Sequence, residues 1–228
     1  MAQISRQGSV SGKTQFLRNR FIILILISVI SFAAFSILLY TLDVTEPSNI
    51  DKKVLNWMSL HAPTFLLGYL TALTETVSYR SIPIVILLVM IWFGWRKKDF
   101  IAVIIFPIAV VGSEILKILI KNSLQRPRPE INAAVDGTGF SFPSGHAFVG
   151  LVCYGLLAFF ILKYTNRFIT RILIALFFIL FIASIGFSRI YFSVHYVTDI
   201  MASYFLGITF VCASIFIYES LTLKLNKK

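Results

Sequence analysis

FIILILISVISFAAFSILLYTL, residues 21–42, decides the fold. These 22 residues carry no charge, and at about 1.5 Å per residue a helix of that length crosses a hydrocarbon core of roughly 30 Å. A cleaved export signal would have a shorter apolar region, about 7–15 residues, and a small-x-small exit. This run is longer and has no A-x-A-like exit, which predicts a retained first span. Residues 1–20 ahead of it are polar and basic, with Arg6, Lys13, Arg18 and Arg20.

Outward from that run the same pattern recurs. The chain has 228 residues, 57% of them hydrophobic, with a mean hydropathy of +0.84. Soluble domains hold about 45–50% apolar residues, and here the excess is gathered in blocks at 82–95, 100–120, 147–162, 172–187 and 196–217. The expectation is an all-α polytopic membrane protein with six transmembrane helices. Pro107 is expected to kink the third. Residues 43–80 are mixed, and Val54, Leu55, Trp57, Met58 and Leu60, followed by 65–73, predict short interfacial helices after the first span. Trp57 and Tyr69 would sit at headgroup depth. His61, beside Pro63, reads as a surface histidine without a partner. The chain divides into a cytoplasmic basic tail (1–20), a six-helix transmembrane domain (21–217) and a second basic tail (218–228), with no repeat or linker.

A formal charge of +11 raises the question of nucleic acid. The basic residues are scattered between apolar blocks, so positive loops of a membrane protein explain them and no nucleic acid is expected. With the N-terminus inside, the inner segments hold Arg6, Lys13, Arg18, Arg20, Arg96, Lys97, Lys98, Lys163, Arg167, Arg171, Lys224, Lys227 and Lys228, thirteen of the 21 Lys and Arg. Both termini are therefore expected in the cytoplasm of a cell-membrane protein, and the loops after the third and fifth spans on the outer face. Cys153 and Cys212 each lie in an apolar run and read as buried thiols.

Those two loops hold the chemistry. The first contains Lys121, Arg126-Pro127-Arg128-Pro129, Asp136 and Ser141-Phe142-Pro143-Ser144-Gly145-His146; the second contains Ser188-Arg189, then His195 and Asp199. Four apart on a helix, His195 and Asp199 would stack on one face. The carboxylate can then accept the imidazole Nδ1–H and leave Nε2 as an oriented nucleophile or base. Lys121, Arg128 and Arg189 gather three cations suited to phosphate oxygens. Ser144 and Gly145 open the fourth span, where free N–H groups and a hydroxyl make an anion site. His146 at its rim can protonate a leaving oxygen. Taken one at a time, the same residues also fit snorkelling anchors, an ordinary helix start and interfacial histidines. Their convergence on one face points to a phosphate site.

Lys121-x6-Arg128-Pro129, Pro143-Ser144-Gly145-His146 and Ser188-Arg189-x5-His195-x3-Asp199 resemble, complete and in order, the three signature motifs of the type 2 phosphatidic acid phosphatase family. That family shares its active-site pattern with the vanadium haloperoxidases. The resemblance covers residues 50 to 217. Of the two Arg-Pro pairs only Arg128 lies seven after a lysine, which leaves Arg126 as an extra cation. The resemblance implies metal-independent hydrolysis of a lipid phosphate or lipid pyrophosphate, of the phosphatidylglycerol phosphate, phosphatidic acid or undecaprenyl pyrophosphate class. It implies attack by His195 to give a phosphohistidine, Asp199 fixing its tautomer. His146 would act as acid and then base, and Lys121, Arg128, Arg189, Ser144 and the Gly145 N–H would hold the phosphoryl oxygens. No cofactor, metal or protein partner is implied.

Two other readings compete. A phosphotransferase would pass the phosphate to another acceptor instead of water. A six-span transporter would need polar residues at mid-bilayer and often repeat symmetry. Glu114 and Lys117 are the candidates for that, and they read equally as an internal ion pair near the outer end of the third span.

Overall fold

A computed structural model describes residues 2–130, 133–135 and 137–225, with side chains from residue 15 onward except those of residues 16 and 133. The side chains of Arg6, Lys13, Asp136, Lys227 and Lys228 lie outside that set. The described residues form helices and no β-strand. In chain order these are α1 (Ala2–Thr41), α2 (Asn49–His61), α3 (Leu67–Glu75), α4 (Ser81–Ile91), α5 (Phe100–Leu124), α6 (Gly145–Lys163), α7 (Phe168–Tyr191) and α8 (Val197–Leu225).

Five of them are long and apolar enough to cross a membrane: Leu17–Thr41 within α1, then α5, α6, α7 and α8. The block expected as the second of six spans is shorter. α4 has 11 α-helical residues, about 16 Å, and continues as the π-helical turns Trp92–Lys97. Two short helices, α2 and α3, do follow the first span, with Trp57 and Tyr69 exposed. His61 is exposed as expected but has a neighbour, its ring stacked on Trp57 at 5.3 Å. Cys153 and Cys212 are buried free thiols.

α6 is the central post. Its residues contribute to two cores. One joins Phe106, Phe148, Phe160, Leu206 and Tyr218 from α5, α6 and α8, and the other joins Leu70, Leu73, Tyr154, Phe178 and Ile185 from α3, α6 and α7. Close approach of α6 to α8 depends on Gly207, where a Cβ would come within 2.5 Å of Leu151. α1 runs along α8, with the Phe21 and Phe216 rings 5.1 Å apart and Arg20 paired to Glu219 at 2.7 Å. The outward faces of α1, α5 and α7 expose Ile30, Ile108, Leu173 and Leu180, as lipid-facing helices do.

One end of the bundle is tied by Asp99, which caps α5 through the Ala102 N–H at 3.1 Å. Its carboxylate also accepts Tyr164 OH at 2.6 Å, Tyr218 OH at 2.5 Å and Lys163 Nζ at 3.0 Å. Burial pushes that carboxyl up, but these donors outweigh it and hold the pKa at about 2. The other end holds the site.

Candidate active site

Four helix termini meet there: Lys121 in the last turn of α5, Gly145 and His146 in the first turn of α6, Arg189 in the last turn of α7 and Asp199 in the first turn of α8. α5 stops because Gln125 turns left-handed at φ 51° and Pro127 and Pro129 follow within four residues, neither compatible with continued helix. The chain then crosses the site as a loop pinned at both ends. Ser141 N–H donates to Arg126 O at 2.7 Å, and Glu130 N–H donates to Ser193 O at 3.1 Å, in the turn between α7 and α8. Two loops far apart in sequence thus share one face, as expected.

His195 and Asp199 meet, but not by stacking along a helix. α8 begins only at Val197, and His195 lies in the preceding turn, where Ser193 is left-handed at φ 53°. Asp199 Oδ2 accepts the Tyr196 N–H at 3.0 Å, the carboxylate half of a capping box. That brings the same oxygen to 3.4 Å from His195 Nδ1. Ser141 Oγ donates to Asp199 Oδ2 and lies 3.4 Å from His195 Nδ1. On the far side of the ring Arg128 Nη1 approaches His195 Nε2 at 3.0 Å. A guanidinium can only donate, so Nε2 carries the lone pair and Nδ1 the proton. His195 is 1% exposed. Burial, then the charges of Arg128, Arg189 and Lys121, hold its pKa well below the usual 6.5, so the ring is neutral at pH 7.

Arg128 is held in place by the loop it belongs to. Its Nε and Nη2 donate to Thr138 O at 3.1 and 2.9 Å, Nε to Gly139 O at 3.0 Å, and Nη1 to Val194 O at 2.7 Å. Burial brings its pKa down to about 10, which leaves it charged. Lys121 Nζ donates to Phe140 O.

Lys121, Arg128, Gly145, His146 and His195 line one end of a cavity of about 520 Å³. The other end is apolar, walled by Ile82 and Ile86 of α4 and Val110, Val111, Ile115 and Ile118 of α5. Val111, Ile115 and Ile118, midway along α5, are about half exposed, so the cavity is open on the flank of α5 next to α4. Ser144 and Arg189 do not line it. Ser144 caps α6 with its N–H bonded to Ser203 Oγ at 2.8 Å, and its buried Oγ has no hydrogen-bond partner among the described residues. Arg189 lies behind the wall, donating to Thr74 Oγ1 at 2.5 Å and to Val135 O, and acts on His195 through its charge. No group of three or more His, Cys, Asp or Glu side chains with metal-ligand geometry occurs among the described residues.

Sequence reasoning missed the support of Asp199. Arg126, set aside as an extra cation, is 1% exposed and bridges two buried carboxylates. Nη1 donates to Asp199 Oδ1 at 2.6 Å and Nη2 to Asp51 Oδ2 at 3.1 Å. Nη1 also reaches Thr198 Oγ1 at 2.9 Å, and the guanidinium lies 4.3 Å over the Tyr196 ring. Asp51 accepts the Thr198 N–H at 3.0 Å and the Ser48 N–H at 3.2 Å, closing a capping box at the start of α2. The local signal was Ser48-x-x-Asp51.

Lone-pair histidine, clustered cations and a sideways apolar mouth in an all-helical, multi-pass membrane protein define a class: enzymes that act on a phosphorylated group carried by a lipid. The chain belongs to the PAP2 superfamily, whose model matches residues 102–222, and it is a lipid phosphatase. Phosphatidylglycerophosphatase B of Bacillus subtilis (strain 168) is 26% identical over 182 residues, 78% of this chain and 87% of that protein. The crystal structure of a transmembrane PAP2-type phosphatidylglycerolphosphate phosphatase from Bacillus subtilis shares the fold, with a TM-score of 0.72 at 22% identity over 86% of this chain and 96% of that one.

Proposed function

We propose that the protein removes the terminal phosphate from a lipid monophosphate or diphosphate at the outer face of the cell membrane, through a phosphohistidine on His195 and without a metal. The observation that carries this reading is the contact of Arg128 Nη1 with His195 Nε2 at 3.0 Å. It supports an unprotonated Nε2 aimed at the place where a cation already waits for phosphoryl oxygens. In the reaction Nε2 attacks phosphorus in line, and the ester or bridging oxygen leaves opposite with its electron pair. His146 supplies a proton to that oxygen and later removes one from the attacking water. Lys121 and Arg128 contact the equatorial oxygens, with the Gly145 N–H at the start of α6, while the buried Ser144 hydroxyl stands behind the cavity wall and does not touch them. Arg189 adds charge from behind. Asp199 and Ser141 keep the Nδ1 proton in place.

In this reading α4 with its π-helical extension is the second span and completes the six, residues 21–217 form one catalytic domain, and both basic tails are cytoplasmic. The thirteen inner cations support that orientation. The lipid tail lies in the apolar part of the cavity, and the name of the Bacillus subtilis relative favours phosphatidylglycerol phosphate among the monoesters. Undecaprenyl diphosphate is the leading diphosphate.

The test is inorganic phosphate release in detergent, with EDTA present, from phosphatidylglycerol phosphate, phosphatidic acid and undecaprenyl diphosphate. Free phosphate from at least one is expected. Activity that EDTA abolishes and a divalent ion restores would overturn the assignment of charge to Lys121, Arg128 and Arg189. Phosphate recovered only on an added alcohol or lipid acceptor would make the protein a phosphotransferase.

A further inference from the structure

Lys117 has no part in the chemistry above. It lies one turn before Lys121 on α5, about 6 Å nearer the middle of the helix. Its side chain lies across the first residue of α6: a Cβ added at Gly145 would be 2.8 Å from Lys117 Cδ and 3.5 Å from its Nζ. A side chain at residue 145 would push the lysine stem aside, so glycine there leaves Lys117 free to lie over the start of α6. Lys117 and its ion-pair partner Glu114 both line the cavity. They occupy the stretch between the catalytic end, with Lys121 and His146, and the apolar end, with Val111 and Ile86. A cation at that depth in a span is costly to place, and the carboxylate three residues back offsets the charge. The Lys117 side chain is 18% exposed and that of Glu114 46%, so the cavity side of the pair is reachable.

We infer that Lys117 is the subsite for the lipid-side phosphate of a lipid diphosphate, a specificity that rests on the reaction proposed above. In that reaction the His195 Nε2–phosphorus bond forms at the terminal phosphate as the bond to the bridging oxygen breaks. The electron pair stays on that oxygen, and the lipid departs as its monophosphate. The charge that grows on the lipid-side phosphate lies between the attacked phosphorus and the tail, the stretch of cavity that Lys117 occupies. Lys117 Nζ exchanges Glu114 for this phosphate. A monophosphate has an ester oxygen and carbon there, and nothing for the ammonium to pair with. Lys117 thus favours diphosphates over monophosphates with the same tail.

Farnesyl diphosphate and farnesyl monophosphate isolate the effect, because they differ only by that phosphate. Phosphate release is measured for the full chain in detergent, and the readout is the ratio of kcat/KM for the two. In Lys117→Met the ratio should fall roughly tenfold or more, the value of a lost charge-assisted hydrogen bond. The double variant Glu114→Leu with Lys117→Leu removes the ion pair without leaving a charge unpaired, and the ratio should stay low. A ratio within twofold of wild type in Lys117→Met overturns the inference, as does recovery of the wild-type ratio in the double variant, since the pair would then be structural. If wild-type protein releases phosphate from neither compound nor from any lipid in the panel above, the parent reading fails and the subsite with it.

Discussion

Replacing Arg126 by methionine should unfasten the site without touching a residue that meets phosphate. Methionine keeps much of the stem's volume and removes the charge. Two carboxylates, Asp199 and Asp51, are then left buried at 0% exposure without their shared cation. Removing one partner of a buried pair costs about 3–5 kcal/mol. The lost contacts, two bonds to carboxylates at 2.6 and 3.1 Å, a third charge-assisted bond to the Thr198 hydroxyl at 2.9 Å and the Tyr196 ring, are consistent with the upper part of that range. For a chain of this size that corresponds to a fall in Tm of roughly 10–20 °C. The assay is thermal unfolding in detergent followed by tryptophan emission, since Trp57 sits on α2, the helix that Asp51 fastens. Asp51→Asn combined with Arg126→Met strands one charge fewer, so the double variant should unfold at a higher temperature than Arg126→Met alone. Arg126→Met within about 2 °C of wild type, or a double variant whose losses simply add, would refute the account of Arg126 as the strut between α2 and Asp199.

Leaving groups should separate the two histidines. His195→Ala removes turnover of every substrate, whereas His146→Ala loses roughly 10²–10⁴-fold on a lipid monoester and much less on an activated aryl phosphate; equal losses across both would undo the assignment. Acid should act through His195: the lone pair is lost as pH falls through its lowered pKa, so the acid limb of kcat/KM lies well below pH 6.5. The sign for stability is the same. Below its ordinary pKa of about 6.5 the unfolded chain binds a proton that the folded one refuses, so acid also weakens the fold. Arg128→Gln removes the charge next to Nε2 and should move the residual activity's acid limb upward, read from a pH profile. Thr138→Cys should react with an impermeant maleimide from outside intact cells and Asn166→Cys should not. Both positions are exposed and the native thiols are buried, and the opposite pattern would move the site to the cytoplasm.

What was legible in the sequence was whatever one segment could carry. Residues 21–42 announced a span by length alone, and each motif held its own chemistry in residue type and spacing. Asp51 could not be read that way. Its partner Arg126 is 75 residues distant, and Ser48-x-x-Asp51 says only that a helix begins. The spacing of four between His195 and Asp199 did signal contact, but through the cap of α8 rather than along its face, because Ser193 turns left-handed just before. Depth was also invisible: Arg189 and Ser144 carry motif positions, yet they stand behind the cavity while Lys117, outside every motif, lines it. The block at 82–95 has the composition of a span, and nothing in it foretold that the last turns would widen into π-helix.

The mouth beside α4 has a consequence for how the enzyme's rate is expressed. Val111, Ile115 and Ile118 line the cavity and are about half exposed, so in the proposed reaction a lipid would exchange by sliding in the plane, its tail never entering water. The quantity that sets occupancy is then the fraction of substrate among the amphiphiles around the protein, and not its amount per litre. Doubling detergent at fixed lipid should lower the rate below saturation, while doubling both together should leave it as it was.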